Sequence, residues 1–199
     1  MSAAPRKTFA FTPENLEAAK KIIAKYPAGR QASAVMPLLA IAQRQNDNLL
    51  TQAELEYVAG MLGMAPIRVH EVASFYTMYN LKPAGRVQVQ VCTTTPCWLR
   101  GSDQVVEACE KALGIHCGEV TADGKIGLIE VECLGACVNA PMLQIGDDYY
   151  EDLDAESTKK LMEALKAGGV LKPGPQNGRK TSEPLGGATT LTSIPAEKA

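Results

Sequence analysis

Two cysteine pairs constrain this chain more than any other feature. Cys92 and Cys97 stand as C-x4-C in VCTTTPCWLRGS, residues 91–102, and Cys133 and Cys137 as C-x3-C in ECLGACVNAPM, residues 132–142. Each pair directly follows a segment that reads as a strand. Val87-Gln88-Val89-Gln90-Val91 alternates strictly, and Ile126 to Val131 is the second strand. If those strands are neighbours in one sheet, both loops reach the same end and four sulfurs can converge there.

Thiolates are the soft ligands that iron–sulfur clusters and zinc prefer. A [2Fe–2S] cluster takes two sulfurs on each iron, so two separated pairs suit it. Thr93, Thr94, Thr95, Gly135 and Ala136 are small, and their backbone N–H groups can approach the sulfurs closely. Such donors stabilise the reduced cluster and raise its potential. Structural zinc also uses four cysteines, at C-x2-C to C-x4-C spacing, and both pairs here lie on the long side of that range. Disulfides are not expected in a soluble protein of a reducing compartment. Four merely buried cysteines fit poorly with loops rich in Gly, Thr and Pro. The spacing also departs from the plant-type ferredoxin run C-x4-C-x2-C. On spacing alone iron–sulfur leads and zinc stays open.

The rest of the chain supplies a frame for these loops. Thr12, Pro13 and Glu14 open a helix whose apolar face is Leu16, Ala19, Ile23 and Tyr26, with Pro27 as its stop. Ser33 is expected to cap a second helix over Val35, Leu38, Leu39 and Ala42. Thr51 and Glu54 form a capping-box pattern before Leu55, Val58, Ala59 and Leu62, closed by Gly63. Pro66 opens a fourth helix over Val69, Val72 and Ala73. After the Lys82-Pro83-Ala84-Gly85 hinge come the first strand and a loop over Cys92–Gly101. Next are a helix capped by Ser102 over Val105, Val106, Cys109 and Leu113, the second strand, a hairpin around Gly146-Asp147, and a helix over 155–166. This order predicts an α+β or α/β architecture. It comprises a flexible arm at 1–11, a helical bundle at 12–82, a thioredoxin-like domain at 83–170 and an extended tail at 171–199. Lys172-Pro173-Gly174-Pro175 cannot be helical, and the tail is expected to order only along a partner surface.

Composition excludes several function classes. Net charge is −2 with mixed signs, and aromatics make up 5% of the chain, so neither a basic stripe nor a base-stacking platform for nucleic acid is present. No apolar run is long enough to span a bilayer. The N-terminus MSAAPRKTFAF lacks the apolar core of a secretory signal and the length of a mitochondrial presequence, so the expectation is a bacterial or already mature protein. No G-x-G-x-x-G follows a strand, His70-Glu71 lacks the second His of a zinc-protease helix, and Gly118 to Lys125 is a surface turn rather than a phosphate loop.

Other residues invite overreading. Cys109 falls in step with an apolar helix face and reads as core, and Cys117 reads as a bystander. Trp98 either shields the site or faces a partner, and Arg100 reads as solvated. Phe75, Tyr76, Met78 and Tyr79 form either interdomain core or a partner surface. Pro141, before a strand, is expected to follow a cis peptide bond.

Both cysteine segments resemble the cluster loops of the thioredoxin-like [2Fe–2S] subunit of respiratory complex I, the NADH:quinone oxidoreductase. Cys92-Thr93-Thr94-Thr95-Pro96-Cys97 followed by Leu99-Arg100, and Glu132-Cys133-Leu134-Gly135-Ala136-Cys137 followed by Val138-Asn139-Ala140-Pro141, match its two loops. Gln43-Arg44-Gln45, residues 72–79, Tyr149 to Leu153 and residues 172–175 are similar to further stretches of that family. The resemblance implies a thioredoxin-like ferredoxin domain with one [2Fe–2S] cluster on Cys92, Cys97, Cys133 and Cys137. It implies a one-electron carrier within an oxidoreductase, exchanging an electron with the FMN of a partner flavoprotein subunit that also binds NADH. A further iron–sulfur subunit is a second implied partner, and no complete active site is expected in this chain. Such a protein is peripheral to the inner or plasma membrane, on the cytoplasmic or matrix side. The diaphorase module of NAD-linked formate dehydrogenases or NAD-reducing hydrogenases uses similar subunits. A zinc-stabilised interaction subunit is the alternative of a different class.

Overall fold

The computed structural model describes residues 8–184, 186, 187, 189 and 190. The first seven residues of the expected arm and the last nine of the expected tail lie outside the described residues. The chain divides into two compact units, Met1–Val87 with Ala122–Ile126, and Gln88–Thr121 with Gly127–Ala199.

The first unit is helical. Its helices are α1 (Pro13–Ile23), α2 (Val35–Gln45), α3 (Gln52–Leu62) and α4 (Pro66–Phe75). Helix α2 packs against each of the other three. Its Leu38, Leu39 and Ala42 are fully buried, as the apolar spacing requires. Thr12 caps α1 by accepting from the Asn15 N–H, and Pro13 occupies the first turn. Helix α1 ends at Ile23, before Pro27 is reached, so Pro27 ends nothing. Ser33 is not a cap either; it lies inside a 3-10 turn, Gln31–Ala34, which runs straight into α2.

The reciprocal capping box at Thr51 and Glu54 forms, and Gly63 closes α3 at φ +63°. Glu54 is buried, and its Oε2 accepts from the Thr51 N–H at 2.7 Å and from the Thr51 hydroxyl. Ahead of α1, Phe9 and Phe11 stack edge-to-face with each other and with Tyr57. The stretch read as a loose arm therefore carries aromatic anchors in its second half, because each ring removes a large apolar area from water. Of the aromatic run after α4, Tyr79 is buried and donates its hydroxyl to the Met36 carbonyl at 2.9 Å, while Phe75, Tyr76 and Met78 are exposed.

The second unit contains most of a five-stranded mixed sheet: β1 (Val87–Cys92), β2 (Ile126–Val131), β3 (Leu143–Ile145), β4 (Asp148–Glu151) and β5 (Gly174–Pro175), in the order β2-β1-β3-β4-β5. β1 and β3 are antiparallel with Val89 opposite Ile145 and Val91 opposite Leu143; all four are buried, so one sheet face is core. At one end the Val87 N–H donates to the Lys125 carbonyl, and at the other the Thr93 N–H donates to that of Val131. β1 and β2 thus run side by side in the same direction.

Helices α5 (Thr95–Leu99), α6 (Ser102–Leu113) and α7 (Ala155–Lys166) complete this unit, with α6 packed on α7. The segment expected to be loop throughout 92–101 contains α5, which Pro96 in its first turn favours. Ser102 does not cap α6. Gly101, at φ +92°, takes the cap position, because the turn out of α5 needs a left-handed residue there. β5 pairs parallel with β4, Gly174 opposite Tyr150, so the start of the tail is ordered by this chain itself. Among the described residues no helix is long and apolar enough to cross a membrane.

Thr51→Ala removes a cap and one of the two hydrogen bonds to a buried carboxylate, leaving only that from the residue 51 N–H. We expect about 2 kcal/mol of lost stability in the helical unit, read from a denaturant midpoint. Thr51→Ser should recover most of it.

Candidate metal centre

Cys92 is the last residue of β1, and Cys97 lies in α5. Cys133 lies two residues past the end of β2, and Cys137 opens the 3-10 turn Cys137–Asn139. Because β1 and β2 end together, the two loops emerge side by side. The four cysteines accordingly form an inner pair and an outer pair. Cys92 and Cys97 are buried, at 2% and 1% exposure, whereas Cys133 and Cys137 are exposed.

The Cys133 and Cys137 sulfurs are 3.5 Å apart. The Cys92 and Cys97 side chains are hydrogen-bonded, the charge of Cys137 acts on Cys97, and that of Cys92 acts on Cys137. The sulfurs stand as two pairs: among the described residues, no group of three or more His, Cys, Asp and Glu side chains is set to hold a metal ion.

The electrostatics follow from burial and from backbone donors. Burial pushes the Cys92 thiol up, but hydrogen bonds from the Thr94 hydroxyl, 3.3 Å away, from the Thr94 and Leu134 N–H groups and from Cys97 outweigh it. Its proton is therefore held below the ordinary thiol range. Burial pushes Cys97 up to about 12, with Cys92 beside it adding to the rise and the Met142 N–H opposing it. Cys137 is raised first by its hydrogen bond to Cys133. Ala140 and Met142 are buried against the inner pair, and Leu134, Ala136 and Tyr149 pack around them. The Tyr149 hydroxyl donates to the Leu134 carbonyl at 2.9 Å, tying down the residue whose N–H bonds the Cys92 sulfur.

This donor set fits an iron–sulfur cluster: four sulfurs, N–H groups aimed at two of them, and an apolar wall. Cys109 is fully buried on α6, and Cys117 lies half-buried with its thiol pushed up to about 11, first by burial and then by the carboxylates of Glu130 and Glu110. Neither belongs to the pairs. The Ala140–Pro141 peptide is cis, as expected. Trp98 is 58% exposed beside Cys97. The N–H groups of Leu134 and Met142 and the hydroxyl of Tyr149 were not legible as part of the site. Only the small residues beside them hinted that backbone would approach sulfur.

A profile of the thioredoxin-like [2Fe–2S] ferredoxin family matches residues 19–166. The mitochondrial NADH dehydrogenase [ubiquinone] flavoprotein 2 of Dictyostelium discoideum is 51% identical over 187 residues, covering 94% of this chain and 76% of that protein. An NADH-quinone oxidoreductase subunit of Rickettsia bellii (strain RML369-C) is 56% identical over 158 residues, covering 79% of this chain and 95% of that one. Among solved structures, an air-oxidised NAD+-reducing [NiFe]-hydrogenase is similar with a TM-score of 0.57 at 25% identity. That match covers 66% of this chain and 23% of the hydrogenase chain.

Cys109 offers a test of the core of the second unit. Burial pushes its thiol up to about 12. An unfolded chain releases that proton near the ordinary 9.0, whereas the folded chain keeps it. The resulting stability is full below the lower value and is lost as pH rises from it towards about 12. Cys109→Ala should therefore show a flatter alkaline decline than wild type when both are melted across that window. At neutral pH the native Cys109 thiol should resist alkylation until denaturant is added.

Proposed function

We propose, from the premise that this chain belongs to the thioredoxin-like [2Fe–2S] ferredoxin family, that it is the electron-transferring subunit of an NADH:quinone oxidoreductase. Its cluster is held by Cys92, Cys97, Cys133 and Cys137. The observation that supports the ligand assignment is the emergence of two cysteine pairs side by side where β1 and β2 end together, with backbone N–H donors on the inner pair. Relatives at 51% and 56% identity across most of the chain carry the choice of complex.

When bound, a [2Fe–2S] group supplies one-electron redox chemistry at a potential set by hydrogen bonds, charge and burial. The residues of this chain prepare the place for it. Cys92 is held toward its thiolate form by the Thr94 hydroxyl and by the N–H groups of Thr94 and Leu134. The Met142 N–H does the same service at Cys97. Ala140, Met142 and Leu134 exclude water from the inner pair. The exposed outer pair faces outward, where a redox partner can approach.

Two partners follow from this reading: a flavoprotein subunit that binds NADH and FMN, and a further iron–sulfur subunit. Attachment to those subunits makes the chain peripheral to the plasma or inner mitochondrial membrane, on the cytoplasmic or matrix side. A second reading, the equivalent subunit of an NAD-reducing hydrogenase, draws on the similarity to that enzyme. Its lower identity, 25% against 51% and 56%, places it behind.

Protein purified without oxygen should contain iron and acid-labile sulfide in equal amounts and show a paramagnetic signal on reduction. Serine at Cys92, Cys97, Cys133 or Cys137 should each abolish or shift that signal, whereas Cys109→Ser and Cys117→Ser should leave it intact. Colourless protein containing zinc would refute the reading.

A further inference from the structure

Resting on the reading that the four cysteines hold the cluster, we propose that Arg179 is a positioning residue that fixes the 133–141 ligand loop from the tail. The outer ligands need such support. Cys133 and Cys137 are exposed, and although Leu134, Ala136 and Ala140 of their loop pack on the apolar cluster, Val138 and Asn139 are held by polar ties.

Arg179 supplies those ties through a buried fork. Its side chain is 9% exposed and that of its partner Asp152 is 7% exposed. The pairing is bidentate: Nε donates to one Asp152 carboxylate oxygen at 2.9 Å and Nη2 to the other at 2.5 Å. The same Nη2 donates to the carbonyl of Val138, the residue after Cys137, at 3.0 Å. Nη1 donates to the Glu183 carbonyl at 3.2 Å, which turns the tail back on itself.

Asn139 forms a second tie at the next residue. Its Nδ2 donates to Glu151 Oε2 and to the Thr181 carbonyl, each at 2.8 Å. Its own carbonyl accepts from the Asp152 N–H at 2.8 Å. The tail is delivered to this place by β5, paired with β4, and by the Gln176 N–H, which donates to the Glu151 carbonyl at 2.9 Å. Arg179, Asp152 and Asn139 thus bind the tail, the end of β4 and the ligand loop into one network. Lysine cannot reproduce it, because one ammonium cannot span both carboxylate oxygens and the Val138 carbonyl in a planar fork.

The test is the rate at which a chelator bleaches the visible absorbance of full-length protein purified without oxygen. Arg179→Met should lose its cluster roughly 10- to 100-fold faster than wild type, the usual cost of removing a residue that orients metal ligands. Arg179→Lys should fall between. The reduced paramagnetic signal of Arg179→Met should broaden, and the backbone amides of Asn139 and Asp152 should exchange hydrogen faster. Removing Arg179 alone also strands a buried carboxylate, so Arg179→Met combined with Asp152→Asn separates the two effects and decides the matter if the single variant does not fold. The double variant should keep the helical circular dichroism of wild type and still lose its cluster faster. A wild-type rate in Arg179→Met, or a return to it in the double variant, would overturn the role of Arg179 alone. Wild-type protein without iron would overturn the cluster assignment and this inference together.

Discussion

The parallel run of β1 and β2 sets two cysteine pairs side by side, and the second unit surrounds the two pairs unequally. The inner pair is out of water and depends on backbone N–H groups from Thr94, Leu134 and Met142. The outer pair remains at the surface, open to solvent. The side-by-side course of β1 and β2 makes the division possible, because it lets Leu134, from one cysteine loop, donate to Cys92, from the other.

The helical unit follows a plainer logic. Its core is aliphatic around α2 with an aromatic cluster of Phe9, Phe11 and Tyr57 against it, and its connections are set by caps that recur throughout proteins. The Thr51–Glu54 box joins cap and core, since the carboxylate that completes it is itself fully buried. Here a local helix-start signal also serves as a buried polar contact, which explains why Glu54 occupies a position where an apolar residue would otherwise serve.

Much of this was legible from residues close in the chain. The Gln88–Gln90 alternation, the Thr51 box and the helix over 155–166 are all local patterns, and each matches an observed element. What was not legible depends on partners far away or on backbone direction. Ser102 has the chemistry of a cap, but the turn leaving α5 demands positive φ, and only Gly101 can provide it. Helix α5 hides among three threonines, whose propensity is poor, and Pro96 in its first turn is its one local signal. The sulfur-facing N–H groups belong to Leu134 and Met142, whose side chains announce nothing. Arg179 and Asp152 are 27 positions apart, with a helix between them, and no periodicity links them. The tail reads as unstructured because its order comes from such isolated polar bonds rather than from an apolar stripe.

One placement has a practical result. Trp98 is the single tryptophan of the chain, and it adjoins Cys97. Iron–sulfur chromophores absorb broadly across the near-ultraviolet, where indole emits. With Cys97 as a ligand, as proposed, energy transfer would quench this indole when the site is filled and release it when the site empties. Under that reading the chain carries an optical gauge of its own cofactor content, readable in dilute solution without dye or label.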